Sequence, residues 1–124
     1  MKCPYCQGPA ELVTGEVVYS HRPDLGGRHF HLCRPCWAYV GCHYGTTQPL
    51  GTLAKEDLRT ARAVAHAALD PLWRSGLWTR SQFYKKLGKL MGISRPHIGN
   101  FNLKQCADAA ALSTHEEWRQ PCEQ

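Results

Sequence analysis

The chain has 124 residues with a formal net charge of +5, and hydrophobic residues make up 43% of it. This length excludes several large domains, and the composition excludes a disordered chain. No apolar run approaches the roughly 20 residues of a membrane span, and the N-terminus lacks the apolar segment of a signal peptide. We therefore expect a cytoplasmic protein, in a compartment where seven cysteines favour metal binding over disulfides.

Two pairs of closely spaced cysteines are the most specific motif. Cys3 and Cys6 form one C-x-x-C, and Cys33 and Cys36 form another after an interval of 26 residues. A two-residue gap lets both sulfurs of a pair bind one ion, and zinc requires four tetrahedral ligands. The spacing predicts one structural zinc ion (Zn2+), although two unrelated pairs of thiols are the alternative. Glycine would be the commoner residue directly after Cys6, but Gln7 stands there.

Strand-forming residues occupy the interval between the cysteine pairs. Residues 12–13 and 17–19, separated by Thr14-Gly15, predict a hairpin. A further strand is expected over 28–33, and a short strand followed by a structured loop is expected from Ala38 onward. The N-terminal region is therefore predicted to be a small zinc-ribbon-like β module.

Other histidines and cysteines leave a second metal site open. His29 and His31 alternate with apolar residues, so we expect them at solvent-facing strand positions rather than as ligands. Cys42 and His43 are better explained as a small buried residue and a loop hydrogen-bonding group than as ligands. The candidates for a second site are Cys42, His43, His66, His97 and Cys106.

The first two helices are predicted from apolar periodicity and capping signals. One is expected from Leu53 to Leu69, with Thr52 as its N-cap and Asp70-Pro71 as its end or a kink. The next begins with the capping box Thr79–Gln82 and ends at Gly92.

A third, weaker helix completes the predicted fold. It begins at Asn102, continues to Leu112 and is expected to resume in residues 115–120, while Cys122 lies in a tail expected to fray. The fold class is α+β: a small N-terminal β module with a tetracysteine site, packed on about three C-terminal α-helices. We expect a β module over residues 1–51 and a helical region over 52–124, together one compact unit.

Charge is concentrated in the middle of the chain. Residues 1–51 carry four basic and three acidic groups, residues 52–104 carry ten and three, and residues 105–124 carry one and four. Such a basic segment predicts a surface for phosphate-rich or acidic partners, although a solvated face that serves solubility is the alternative. The residues expected to bind nucleic acid or another partner are Lys55, Arg59, Arg62, His66, Lys85, Lys86 and Lys89.

The order of the motifs resembles a known family. The chain resembles the uncharacterised zinc-finger-containing domain family of small phage and prophage proteins. The motifs that carry the resemblance are, in order, CPYC, CRPC followed by WAYVGCH, PLGTLA, D-x-LW and HIG-x-F. The resemblance extends to about Leu112 and implies that the four paired cysteines bind zinc. It also implies a phage origin and a role inside a bacterial host cell, but no settled activity.

Three functions follow from these patterns. The first is a zinc protein without catalytic activity that binds nucleic acid through its basic helices. The second is a phage effector that binds and inhibits a host protein or defence complex. The third, less favoured, is a metal-dependent nuclease using His43, His66 and Asp70, although no H-N-H arrangement or paired carboxylates support it. We expect His66 and Asp70, four residues apart, to form a structural hydrogen bond instead.

Overall fold

The computed structural model describes residues 1–119, so the predicted frayed tail with Cys122 lies outside the described residues. An antiparallel sheet comes first and longer helices follow it, which confirms the α+β class. The chain divides into two compact units, Met1–Asp57, here called the zinc module, and a helical unit that begins at Leu58. None of the helices in the described part of the chain has the length and apolar character needed to cross a bilayer.

The zinc module contains a three-stranded sheet of β1 (Glu11–Thr14), β2 (His29–Cys33) and β3 (Ala38–Gly41), in that spatial order. Both pairings are antiparallel, and the register sets Val13 opposite Phe30. Because side chains alternate between the two faces of a strand, one face collects the apolar residues. The buried residues on that face are Val13, Phe30, Leu32 and Tyr39.

The hairpin predicted with a second strand at 17–19 is wrong. The chain instead forms one helical turn, α1 (Gly15–Val18), and β1 pairs with β2. The Gly15 N–H donates to the carbonyl oxygen of Arg28 at 2.8 Å, and a Cβ at Gly15 would overlap the carbonyl oxygen of Leu25. Residues 17–19 then pack half-buried against the apolar face of the sheet. Tertiary packing therefore overrides their β propensity.

After β3 the chain returns to the edge of the same sheet. Tyr39 and Ala54 each donate a backbone N–H to the other's carbonyl oxygen, at 3.1 and 3.0 Å. Leu53 is fully buried beside Cys3. The predicted helix start at Leu53 is wrong because this backbone is paired with the sheet, and the helix begins at Glu56.

Helix α2 (Glu56–Arg74) continues through Pro71, where the sequence predicted an end or a kink. Proline has no N–H, so one helical hydrogen bond is lost at this position. Leu72 and Trp73, which follow it, pack against the core of the helical unit. Burial of these side chains offsets the lost hydrogen bond and keeps the segment helical.

Helix α3 (Arg80–Met91) begins and ends where the sequence predicted. Thr79 Oγ1 accepts the Gln82 N–H at 3.1 Å, and Gln82 Oε1 accepts the Thr79 N–H at 3.0 Å. At the other end Gly92 has a φ of 72° and its N–H donates to the carbonyl oxygen of Gly88. The capping box and the left-handed glycine are therefore confirmed.

Helix α4 (Leu103–Leu112) is also confirmed. Asn102 Oδ1 accepts the Gln105 N–H at 2.8 Å, and Gln105 Oε1 accepts the Asn102 N–H at 3.0 Å. The expected resumption of helical structure is a 3-10 turn over Glu116–Arg119. The helical unit thus has a defined N-cap at both α3 and α4.

One apolar core holds the helical unit together. The Phe83 ring centroid lies 4.9 Å from that of Trp118, which lies 5.3 Å from that of Trp78. The buried residues of this core are Ala65, Leu69, Trp78, Phe83, Leu87, Ile98, Phe101, Cys106, Ala109 and Trp118. Contributions from α2, α3 and α4 make the core continuous within the unit.

Candidate metal centre

The structure brings Cys3, Cys6, Cys33 and Cys36 into one cluster. Their Sγ atoms all lie within 4.8 Å of one another, and the Cys6 and Cys33 sulfurs are 3.7 Å apart. Zinc–thiolate bonds of about 2.3 Å in a tetrahedron separate neighbouring sulfurs by about 3.8 Å. The cluster therefore fits one tetrahedral zinc ion.

The first cysteine pair lies in a tight turn whose backbone is hydrogen-bonded throughout. The Cys3 N–H donates to the Gly8 carbonyl, and the Gln7 N–H donates to the Cys3 carbonyl, both at 2.8 Å. The Gly8 N–H also points at Cys6 Sγ, 3.4 Å away. The turn therefore positions both sulfurs of the first pair as ligands.

The second pair follows β2 directly, and Cys33 is paired with Ala38 of β3. The Trp37 N–H closes the turn on the Arg34 carbonyl at 3.2 Å. In both turns the residue after the second cysteine has a left-handed backbone, with φ of 64° at Gln7 and 51° at Trp37. Sequence reasoning noted the missing glycine at Gln7 but overlooked Trp37, which holds the equivalent position after Cys36.

The cluster has a buried and an accessible side. Cys3 and Cys33 are almost fully buried and pack with Ala38 and Leu53, whereas Cys6 is exposed and Cys36 is half-buried. Apolar packing therefore excludes water from one side of the cluster. The side that Cys6 and Cys36 form is the one open to solvent.

The thiols differ in acidity when no ion separates them. Burial disfavours the Cys3 thiolate, but hydrogen bonds to its sulfur have the opposite and larger effect. They come from the backbone N–H groups of Cys6 and Tyr5 and from the thiols of Cys33 and Cys6, and they lower the Cys3 pKa to about 7. Hydrogen bonding with Cys6, together with burial and the nearby Cys33 and Cys3, raises the pKa of Cys36 to about 12. Four thiolates are mutually repulsive at these distances, and a divalent cation removes that repulsion.

These residues form the site of a zinc-binding domain. Four cysteines complete a tetrahedral shell and leave no position for water or substrate, which is the arrangement of structural zinc. When bound, zinc supplies the charge that holds four thiolates together and links the first turn to β2 and β3. Its role is to fold the module.

Two residues predicted to bind a partner make contacts within the protein. Lys55 precedes α2, and its Nζ lies 4.8 Å above the centre of the Tyr5 ring. Arg62 is 9% exposed, and its Nε donates to the Phe101 carbonyl at 3.1 Å. Little of Arg62 is therefore accessible to a partner, because its guanidinium supplies the donor that a buried carbonyl needs.

The other members of the predicted surface lie on α2 and α3. Lys85 and Lys89 are exposed on α3 and one turn apart, while Lys86 and Arg59 are half-buried. His66 is partly exposed, with Nδ1 3.3 Å from Asp70 Oδ1. The expected hydrogen-bonded pair on α2 is thus confirmed.

Residues considered for a nuclease centre make local contacts within their own parts of the fold. Besides His66, Asp70 accepts the indole N–H of Trp73 at 3.3 Å and lies 3.8 Å from the Arg74 guanidinium. The His43 carbonyl accepts the Thr46 hydroxyl at 2.9 Å in a loop turn. Asp70 therefore organises the end of α2.

Cys42 and Cys106, two of the candidates for a second ion, are buried thiols. Cys42 and Cys106 are each 1% exposed, and burial raises the pKa of both thiols. His31 Nε2 lies 2.9 Å from the Thr47 carbonyl oxygen, so that ring is used in the fold. Among residues 1–119, the four clustered cysteines are the one group of three or more His, Cys, Asp or Glu close enough to share an ion.

A sequence family described as a zinc-finger-containing domain matches residues 1–116. The match includes the tetracysteine cluster and also α2, α3 and α4. No significant match exists among curated proteins. The same is true among solved structures.

Proposed function

Because the chain belongs to the zinc-finger-containing domain family, we propose that it is a zinc-stabilised protein without catalytic activity that binds nucleic acid through its basic helical unit. The four cysteines occupy every coordination position of the zinc ion, so the ion has a structural role. Nucleic acid must therefore be bound by side chains of the protein. As part of this proposal, the protein has a phage origin and acts in the cytoplasm of a bacterial host.

A long segment with cations and no carboxylates carries the proposal. From Pro71 to Ala107 the sequence contains seven Lys or Arg residues and no Asp or Glu. The seven are Arg74, Arg80, Lys85, Lys86, Lys89, Arg95 and Lys104. Neutralising phosphates with such residues releases counterions, and this term dominates nonspecific nucleic-acid binding.

Helix α3 exposes three of these cations. Arg80, Lys85 and Lys89 are all exposed, and the two lysines are separated by one helical turn. Like charges at that spacing destabilise a helix by a few tenths of a kcal/mol. An anionic ligand bound by both lysines offsets this repulsion, and this supports α3 as a contact surface.

Aromatic rings orient two of the arginines. The Arg80 guanidinium lies 5.1 Å above the Tyr84 ring centre and 5.9 Å above the Trp73 ring centre, and that of Arg74 lies 5.2 Å above Trp73. A guanidinium stacked on a ring keeps its N–H groups free to donate at its edge. These arginines are therefore preorganised donors for phosphate oxygens.

Binding of a labelled oligonucleotide measured over a series of salt concentrations tests the proposal. Affinity should fall steeply with salt, and Lys85→Ala/Lys89→Ala should reduce the slope of log K against log salt by about 0.7–0.9 for each phosphate that is no longer neutralised. Arg22→Ala is the matched control, because Arg22 lies in the zinc module, outside this cationic segment, and its guanidinium is paired with the Asp24 carboxylate at 2.8 Å. Absence of binding at low salt would contradict the proposal.

A pull-down from bacterial extract separates nucleic acid from a protein target. We expect bound material to be lost when the extract is treated with nuclease. Recovery of the same host protein with and without nuclease would instead support the phage effector that inhibits a host complex. The Lys85→Ala/Lys89→Ala variant, run in parallel, shows whether either capture uses α3.

A further inference from the structure

We infer that Trp37, directly after the second cysteine pair, stacks on an unpaired base of single-stranded nucleic acid. This inference rests on the proposed function, and it assigns to the zinc module a contact separate from the basic helices. Trp37 lies in the turn that contains Cys36, a ligand of the zinc site. Neither its backbone conformation nor its packing calls for an indole there.

The backbone of Trp37 has a conformation that favours glycine. Its φ of 51° lies in the left-handed region, where a bulky side chain is uncommon and strained. Gln7 occupies the same position in the first turn with φ 64°. Two different side chains at equivalent positions show that the turn needs a backbone shape, which glycine supplies without strain.

The side chain of Trp37 also contributes little to the packed interior. It is 45% exposed and belongs to none of the three buried clusters of the described residues. Trp78 and Trp118, by contrast, are 6% and 3% exposed within the helical core. An exposed indole on a strained backbone is available to a ligand that covers it.

The zinc site fixes the backbone from which this indole projects. Trp37 is bonded to Cys36, and its N–H donates to the Arg34 carbonyl at 3.2 Å. A side chain carried by a metal-fixed turn binds a ligand without the cost of ordering the backbone. Every base has a π face, so stacking on such a ring gives affinity without sequence reading.

A cation lies beside the same cysteine cluster. Tyr5 precedes Cys6 and is 42% exposed, and Lys55 Nζ lies 4.8 Å above its ring centre. The Lys55 backbone N–H also donates to the Tyr5 hydroxyl at 3.1 Å, which anchors this lysine to the module. Stacking and a phosphate contact are thus both available around the zinc site, the combination that binds single strands.

Two glycine variants provide a matched test with a fluorescein-labelled oligothymidylate as the probe. Trp37→Gly should weaken binding roughly ten-fold, the scale of one stacked base. Gln7→Gly relieves the equivalent backbone strain without removing an aromatic ring, and should bind like the wild type. Trp37→Phe should recover most of the affinity, while Trp37→Leu, apolar but without a π face, should bind as weakly as Trp37→Gly.

Zinc content and melting temperature, measured for each variant, separate folding from binding. Both glycine variants should retain one zinc and melt no lower than the wild type, because glycine accepts a positive φ. Equal binding by Trp37→Gly and wild type, or an equal loss in Gln7→Gly, would overturn the inference and leave the proposed function standing. A wild-type protein that binds no oligonucleotide at low salt would overturn both.

Discussion

The zinc module and the helical unit are stabilised in different ways. Two separate buried clusters of four residues each occupy the module, and one of them contains Cys3 and Cys33. Ten buried residues form a single core in the helical unit. Small β modules bury too little apolar surface to fold unaided, and metal binding supplies the difference. One half of the protein therefore depends on an ion and the other on a hydrophobic core.

Backbone strain follows the same division. In the described helical unit, positive φ angles occur at Gly76 and Gly92, where glycine has no steric cost. In the module, Gln7 and Trp37 also have positive φ, and both lie directly after zinc-binding cysteines. Strain of this kind costs on the order of 1–3 kcal/mol at each residue. Zinc binding provides enough free energy to maintain it.

Removal of the metal should have the largest effect, and we expect it to unfold the zinc module while the helical unit stays folded. Structural zinc sites contribute about 10–16 kcal/mol, more than most domains have in net stability. In a chelator, we expect NMR signals of the β-sheet to lose their dispersion while the helical circular dichroism of α2, α3 and α4 persists. Added zinc should restore the spectrum. A sheet that survives chelation would contradict a metal-dependent module.

Truncation of a core side chain in the helical unit should destabilise that unit and leave zinc binding by the module unchanged. Phe83 is fully buried on α3, so Phe83→Ala should destabilise the helical unit by about 3–5 kcal/mol. Zinc content should remain unchanged, and thermal melting followed by circular dichroism measures the destabilisation. Leu77→Ala, at a position 48% exposed, is the control and should change stability by less than about 0.5 kcal/mol. Loss of zinc from Phe83→Ala would show that the two units are not independent.

A smaller effect distinguishes structural from exposed basic residues. Arg62→Ala removes the donor to the Phe101 carbonyl, and an unpaired buried acceptor costs about 1–3 kcal/mol. We expect a lower melting temperature for this variant. Arg74→Ala, whose side chain is 66% exposed, should have little effect on melting. Equal melting of both variants would contradict a structural role for Arg62.

Local signals in the sequence were sufficient for the metal site and for the ends of α3. The C-x-x-C spacing predicted the tetracysteine cluster, because two sulfurs separated by a tight turn reach one ion. Thr79 with Gln82, and Gly92, predicted the ends of α3, because capping is a property of a few adjacent residues.

Features set by distant residues could not be predicted in this way. Residues 17–19 have strand propensity but form part of a helical turn and its exit, because Gly15 contacts a backbone carbonyl ten residues away, at Leu25. Arg62 lies at helical spacing from other cations, which predicted a shared basic face. Its side chain is buried because it donates to the carbonyl of Phe101, which is distant in the sequence. Leu53 and Ala54 have helix-compatible side chains but pair with β3 and the cysteine cluster. Each error arose where a long-range contact outweighs local preference.

Zinc stoichiometry of the purified protein is the decisive measurement for a metal-folded module. Elemental analysis should find one zinc per wild-type chain, and the same in a Cys42→Ala/Cys106→Ala variant, because those buried thiols lie outside the cluster. Zinc should be absent after Cys3→Ser/Cys33→Ser. A wild-type protein without zinc, or full retention of zinc after the Cys3 and Cys33 substitutions, would contradict a tetracysteine zinc site.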